Sequence, residues 1–262
     1  MKASIKYIVL GIAAYSIFIL MQFPINKVYP FVENVLEDKK IGLKVYGLDG
    51  SVWHGKAASL IYDGKRFDQL TWDFKPLALF TGNVALDVGY RNKDSAASGS
   101  VSQSVFGETS LKNFDAKITA PELIKMLKIP AIKLEGDLTL RLNEMSLVDK
   151  SLKYINGRLL WANAASKFPQ KLVMGNLFAD LTTSDDGVVK AKLGDGGGPM
   201  EVNGEATLNP DGKYDVKGAL AARAGRQSAL GRSLGFIGRY DSKGKANFAQ
   251  TGNISELGFL IK

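Results

Sequence analysis

From about residue 40 onward, apolar and polar side chains alternate with a period of two, the mark of strands that bury one face. In AIKLEGDLTLRL, the residues Ile132, Leu134, Leu138, Leu140 and Leu142 fall on one side, and Lys133, Glu135, Asp137, Thr139 and Arg141 on the other. In MEVNGEATL, Met200, Val202, Ala206 and Leu208 oppose Glu201, Asn203, Glu205 and Thr207. YDVKGAL and NVALDVGY divide in the same way, with Tyr214, Val216 and Leu220, and Val84, Leu86, Val88 and Tyr90, on their dry faces. One dry face and one wet face is the signature of antiparallel sheets. The connections agree: YDGK at Tyr62–Lys65, SDDG at Ser184–Gly187 and NPDGK at Asn209–Lys213 each supply Asp-Gly, which tolerates the positive φ of a tight turn.

Helical patterning is sparse. APELIKMLK, Ala120–Lys128, has Pro121 near its start and an apolar stripe of Leu123, Ile124 and Leu127. GRQSALGRSLGFIGR, Gly225–Arg239, reads as a second helix weakened by glycine, and KPLALF after Trp72 as a single turn. Two short helices cannot cover this many half-apolar strands. The sheet is therefore expected to close as a sandwich or barrel, or to curl into a groove whose apolar interior would suit an acyl chain.

The first 40 residues follow a different pattern. YIVLGIAAYSIFILMQF, Tyr7–Phe23, carries no charge, and seventeen helical residues reach about 25 Å. Ile25 and a snorkelling Lys6 supply the remainder of a bilayer core, and Pro24 ends the run. MQFPIN offers no small-x-small cleavage site, so the segment reads as an uncleaved anchor rather than a signal peptide. Lys2 and Lys6 place residues 1–6 in the cytoplasm. The expected order is a transmembrane helix over 7–23, a linker over 24–40 and a periplasmic β-rich domain over 41–262. The expected fold class is mostly β, an N-terminal transmembrane helix followed by an antiparallel, curled sheet with one or two short helices.

The chain also echoes itself. GSVWHGKAAS (Gly50–Ser59) is matched by GRLLWANAAS (Gly157–Ser166), and LFTGNVALDV (Leu79–Val88) by LVMGNLFADL (Leu172–Leu181). The order is the same in both halves, which suggests a duplicated unit over about 41–119 and 150–222. Glycine, tryptophan and alanine recur; the histidine does not, since His54 stands opposite Ala162.

Composition narrows the chemistry. The 262 residues include no cysteine and one histidine, which leaves no thiolate site and no nitrogen-rich metal site. The formal charge is +8, but 34 basic residues are scattered among 26 acidic ones with no recognition helix, so no nucleic-acid partner is expected. His54 beside Trp53 would need a nucleophile and an orienting acid to act as a base. Asp49 and Asp63 are near in sequence, but no nucleophile motif accompanies them, and His54 reads as a surface residue in a strand corner. GDGGGP, Gly194–Pro199, is followed by a strand where a phosphate loop would open a helix, and reads as a flexible link. Asp185–Asp186 sits in a turn. Arg223, Arg226, Arg232 and Arg239 suit phosphate contact, against the commoner reading of a solvated helix face. No catalytic residue, cofactor or metal ligand is assigned, and no enzyme is expected.

Taken in order, LDGSVWHGKAASL, LTWDFKPLALFTGNVALDV, IKLEGDLTLRLNEM, INGRLLWANAA, LGDGGGPMEVNGEATLNPDGKYDVKGAL and LGFIGRYDSKGKANFAQTGNI resemble the type II secretion system protein N family, also called general secretion pathway protein N. The structural signature that carries the resemblance is Gly50, Trp53, Gly55, Trp72, Pro76, Trp161, Gly198 and Pro199. The resemblance implies an inner-membrane accessory protein of Gram-negative bacteria, with a single span and a periplasmic domain. Its partners would be other inner-membrane components of the machine that exports folded proteins across the outer membrane. It carries over no catalytic residue, and family members often have Ser or Gln where His54 stands. A more distant similarity to AsmA-type periplasmic proteins implies a sheet curled around an apolar channel, with lipid or lipopolysaccharide as a further candidate ligand.

Overall fold

The computed structural model describes residues 6–7, 11–12, 15–16, 18–19, 22–62, 64–126, 133–149, 151–168 and 171–254. The spanning helix expected over Tyr7–Phe23 falls largely outside them, and among the described residues no helix is long and apolar enough to cross a membrane. The fold class is corrected accordingly, to a mostly antiparallel β chain with no membrane-spanning helix among the described residues, and the expected single span is withdrawn with it. The longest helix among the described residues, α1 (Ile25–Asp38), has 14 residues. It reaches about 21 Å against a bilayer core of about 30 Å, and carries Lys27, Glu33, Glu37 and Asp38.

The chain divides into two compact units, Met1–Lys93 with Ser100–Ser102, and Asp94–Gly99 with Gln103–Lys262. In the first, β1 (Leu43–Gly50), β2 (His54–Tyr62), β3 (Lys65–Phe74) and β4 (Asn83–Arg91) pair antiparallel in sequence order. A 3-10 turn, Pro76–Thr81, joins β3 to β4, where one turn was expected. The linker expected over 24–40 is mostly α1. It packs on β1, and the Tyr29 hydroxyl accepts the Val45 N–H at 2.8 Å. Val52 N–H donates to Phe23 O, and Pro24 bridges Ser51. Part of the open edge of β1 is thus occupied, which blunts a template for stray strand pairing. Docking, rather than intrinsic helix propensity, explains a helix that tolerates Pro30 inside it.

The strand β5 (Ser95–Ser104) is shared between the units. The second unit continues with β6 (Glu108–Thr119), α2 (Ala120–Met126), β7 (Lys133–Val148), β8 (Ser151–Phe168), β9 (Leu172–Thr183), β10 (Val189–Asp195), β11 (Met200–Leu208), β12 (Lys213–Ala222), α3 (Ala229–Leu234), β13 (Arg239–Tyr240) and β14 (Ala246–Asn253). From β6 the order is sequential to β12 and then runs to β14 and β13. Among the described residues this order is linear, with β6 to β12 in sequence order and β13 at the edge. The sheet curls. The strands β9 and β11 are not neighbours, yet they bring Cα atoms within 8 Å, closer than about 9.6 Å for two flat strand spacings. Bulges assist the curl: Asn113 and Asn163 take positive φ inside strands, and the β7–β8 register shifts between Glu135 and Asp137 and between Leu142 and Glu144. The second helix is shorter than expected, because Ser228 caps its start and the tract around Gly235 and Gly238 ends it.

Register turns the alternation into two surfaces. Across β6 to β12, the directly opposed residues are Asp115, Arg141, Arg158, Asp180, Lys192, Glu205 and Lys217. The neighbouring row on the other face reads Ala116, Leu140, Leu159, Ala179, Leu193, Gly204 and Gly218, with Phe248 of β14 beside it. Charges of opposite sign pair across the wet row: Arg141 with Asp115 at 3.4 Å, Arg158 with Asp180, and Lys217 with Glu205 at 2.8 Å. Such exposed pairs fix register more than they stabilise.

Aromatic rings lie over glycines of adjacent strands. A Cβ on Gly55 would come 2.2 Å from the Trp72 ring, one on Gly194 2.5 Å from Phe178, and one on Gly218 2.9 Å from Phe248. Only a residue without a side chain admits these rings so close to the sheet.

Candidate functional site: an open apolar face

The dry face of the second unit holds two buried clusters. In one, Met200, Leu230, Leu234 and Ala246 pack with Leu220, Val202 and Tyr240 under α3. In the other, Leu142, Ile155 and Val189 pack with Phe114, Leu181 and Leu208. Among the described residues, Leu234 is the one large side chain less than 2% exposed. Toward the far ends of β10 to β14 the face stays open. Val189, Ala191, Ala206, Leu208, Tyr214 and Val216 line a cavity of about 420 Å³. That volume and lining suit an apolar ligand, because small side chains (Ala191 and Ala206) leave room between larger ones. A broader depression of about 1070 Å³ on the charged face sets Asp180 and Glu205 among Lys190, Lys192 and Lys217. The two carboxylates offset only part of the charge of the three lysines, and Asp180 is already paired with Arg158. The hydrogen bond from Arg158 holds the Asp180 carboxyl below its ordinary range, and that from Lys217 does so for Glu205.

The signature residues occupy several places. Gly50 takes φ +96° at the end of β1, where a Cβ would lie 2.5 Å from His54 O. Trp53 sits in the bend before β2, its ring 5.0 Å from that of Phe74. Trp72 covers Gly55 and donates from Nε1 to Val52 O at 3.1 Å, and Pro76 opens the 3-10 turn. These five residues build one strand corner in the first unit. Trp161 lies in β8, in a different setting from Trp53, and donates from Nε1 to Glu135 O at 3.0 Å. Gly198 takes φ +117° against Gly175, and Pro199 O accepts the Arg223 N–H.

His54 is exposed, as expected, yet it has a partner that proximity in sequence did not suggest. Its Nδ1 lies 2.9 Å from Asp73 Oδ1, with side chains 65% and 56% exposed. A hairpin that pairs Tyr62 with Lys65 necessarily pairs His54 with Asp73, so the turn signal at Asp-Gly held this contact. Asp49 instead meets Lys56 at 3.1 Å. Ser51 Oγ accepts from the Trp53 and His54 backbone N–H groups and donates to His54 O, so its bonds go to the turn rather than to the imidazole. A serine, a histidine and an aspartate are close here without the relay that would activate the hydroxyl. Among the described residues, no group of three or more His, Asp or Glu is placed to hold a metal ion.

The Gly194–Pro199 stretch, expected as a flexible link, is braced. The Asp195 carboxylate accepts from Gly197 N at 3.0 Å, Val202 N at 2.8 Å and Arg223 Nη2 at 2.6 Å. Arg223 also donates to Gly198 O and Met200 O. Burial pushes the Asp195 carboxyl up, and the bonds from Val202, Arg223 and Gly197 together outweigh it, leaving the group below the usual carboxylate value. The sequence held both residues, 28 apart, but nothing local linked them.

Two relatives align with most of this chain. A type II secretion system protein N of Vibrio cholerae is 24% identical over 218 residues, covering 81% of this chain and 86% of its own. A type II secretion system protein N of Aeromonas hydrophila is 25% identical over 266 residues, covering 97% of this chain and 100% of its own. No solved structure matches the chain. The family described as type II secretion system (T2SS), protein N, matches residues 42–249, from the threshold of β1 into β14, and the chain belongs to that family.

Proposed function

We propose that the chain is an accessory or assembly component of the type II secretion pathway, supporting export of folded proteins across the outer membrane. It works on the periplasmic side of the inner membrane, beside other inner-membrane components of the machine, and without catalysis. The family match over residues 42–249 carries this reading. A long sheet with one unsealed apolar face is consistent with it, since such a face is completed by a partner or a ligand. The test is a clean deletion, complemented in trans, with exoproteins assayed in the periplasm and medium. Periplasmic retention that complementation reverses is the expected result; normal secretion in the deletion overturns it.

The cavity on the dry face favours a second reading, in which the same groove holds an acyl chain of lipid or lipopolysaccharide. Native mass spectrometry of the purified chain would then show a bound lipid mass, lost when Ala206→Phe fills the cavity.

A further inference from the structure

Outside the N-terminal helical segment, three places on the described surface of the sheet and its connections pair bulky apolar side chains that lie mostly in water. Leu77 and Phe80 of the 3-10 turn are 77% and 88% exposed, and Val105 and Phe106 of the β5–β6 hairpin are 72% and 88% exposed. Phe236 and Ile237, just after α3, are 94% and 59% exposed. Their surroundings differ. From Arg223 to Tyr240 the chain has four arginines and no carboxylate. Arg223 is consumed by the Asp195 bridge. Arg226, Arg232 and Arg239 are exposed and, among the described residues, form no ion pair. The Arg226 guanidinium lies 4.2 Å from the centre of the Tyr240 ring. Together with Arg239, Phe236 and Ile237, it lines one open depression of about 470 Å³.

The tip is also firmly mounted. The Ser228 side chain caps α3 by accepting the Gly231 N–H at 3.0 Å, Leu234 is buried beneath, and the Tyr240 hydroxyl donates to Gly231 O. A crest of two apolar side chains, flanked by glycines and bordered by the Arg226 and Arg239 guanidinium groups, with Arg232 on the adjoining helix donating to Gln227 O, matches a phospholipid leaflet. The Phe236 ring and the Ile237 side chain reach the acyl boundary while the arginines meet phosphates. Two crest residues are too few for a stable protein interface, which buries upward of about 1,000 Å². We propose that the Phe236–Ile237 tip, with Arg226, Arg232 and Arg239, docks this protein on an anionic phospholipid surface.

Since the chain has no cysteine, a single one reports locally. Full-length Ile237→Cys, carrying an environment-sensitive fluorophore, is mixed with vesicles of phosphatidylcholine alone or with phosphatidylglycerol added. Phe106→Cys serves as the control tip. The expected result is a blue shift and protection from iodide at position 237, only on the anionic vesicles, with position 106 left in water. Arg226→Gln with Arg239→Gln weakens partition about 25-fold, at about fivefold per arginine, and Phe236→Ser weakens it about tenfold. Equal protection on both vesicle types, quenching on both, or equal protection at position 106 overturns the proposal. A response to inorganic phosphate or to polyglutamate without lipid also overturns it, assigning the arginines to a soluble anion or an acidic protein.

Discussion

The two ends of the dry face in the second unit start from the same alternating strands and finish differently. At one end α3 lies over β9 and β12, Leu234 is sealed, and the Asp195–Arg223 bridge ties the β10–β11 loop to the chain entering the helix. At the other, Tyr214 and Val216 border an unfilled cavity. Strand alternation creates an apolar face but does not cover it. A six-residue helix capped by Ser228 seals the part of the face around Leu234, while the part around Tyr214 and Val216 remains available.

This contrast can be broken most directly at its covered end. Leu234→Ala should cost about 3 kcal/mol in urea unfolding, because a sealed leucine leaves a cavity. Val216→Ala, beside space already empty, should cost under about 1 kcal/mol. Equal losses would show that the two ends are equally packed. Gly218→Ala tests the middle of the face: its new methyl meets Gly204 Cα at 2.7 Å and the Phe248 ring at 2.9 Å, and overpacking of this kind costs about 2 kcal/mol.

Arg223→Gln sharpens the role of the bridge. Asp195 has only 8% of its side chain exposed, so losing its cation should cost about 1–3 kcal/mol near neutral pH. The sign follows from the lowered carboxyl of Asp195. Its contribution is present above the unfolded carboxylate value, near pH 4, and is lost as pH falls through the lower folded value. Asp195→Asn should flatten that part of the acid unfolding curve. The smallest effect is expected in the first unit, at His54→Ala. Both His54 and Asp73 are mostly exposed, so the unfolding midpoint and the secretion phenotype should match the parent protein.

Much of the fold was legible. The strands β4, β11 and β12 fall on segments whose period of two was plain, and the Asp-Gly turns at Ser184–Gly187 and Asn209–Lys213 form as expected, with Gly187 N donating to Ser184 O and Gly212 N to Asn209 O. The helix α1 was not legible, because two prolines and a mixed face conceal a segment stabilised by docking on β1. Trp53 stands in the bend before β2, and Asp73 reaches His54 through hairpin register, which nearness in sequence does not reveal.

The sequence by itself determined the antiparallel class, the turns, the dry and wet faces and the absence of thiol chemistry, since all of these follow from local periodicity and residue type. Only the tertiary structure decided that part of the dry face keeps an open cavity, that Asp195 and Arg223 meet, and that Phe236 stands in water beside arginines that form no ion pair among the described residues. Those outcomes depend on register and curl accumulated over many strands, and no short window of sequence contains them.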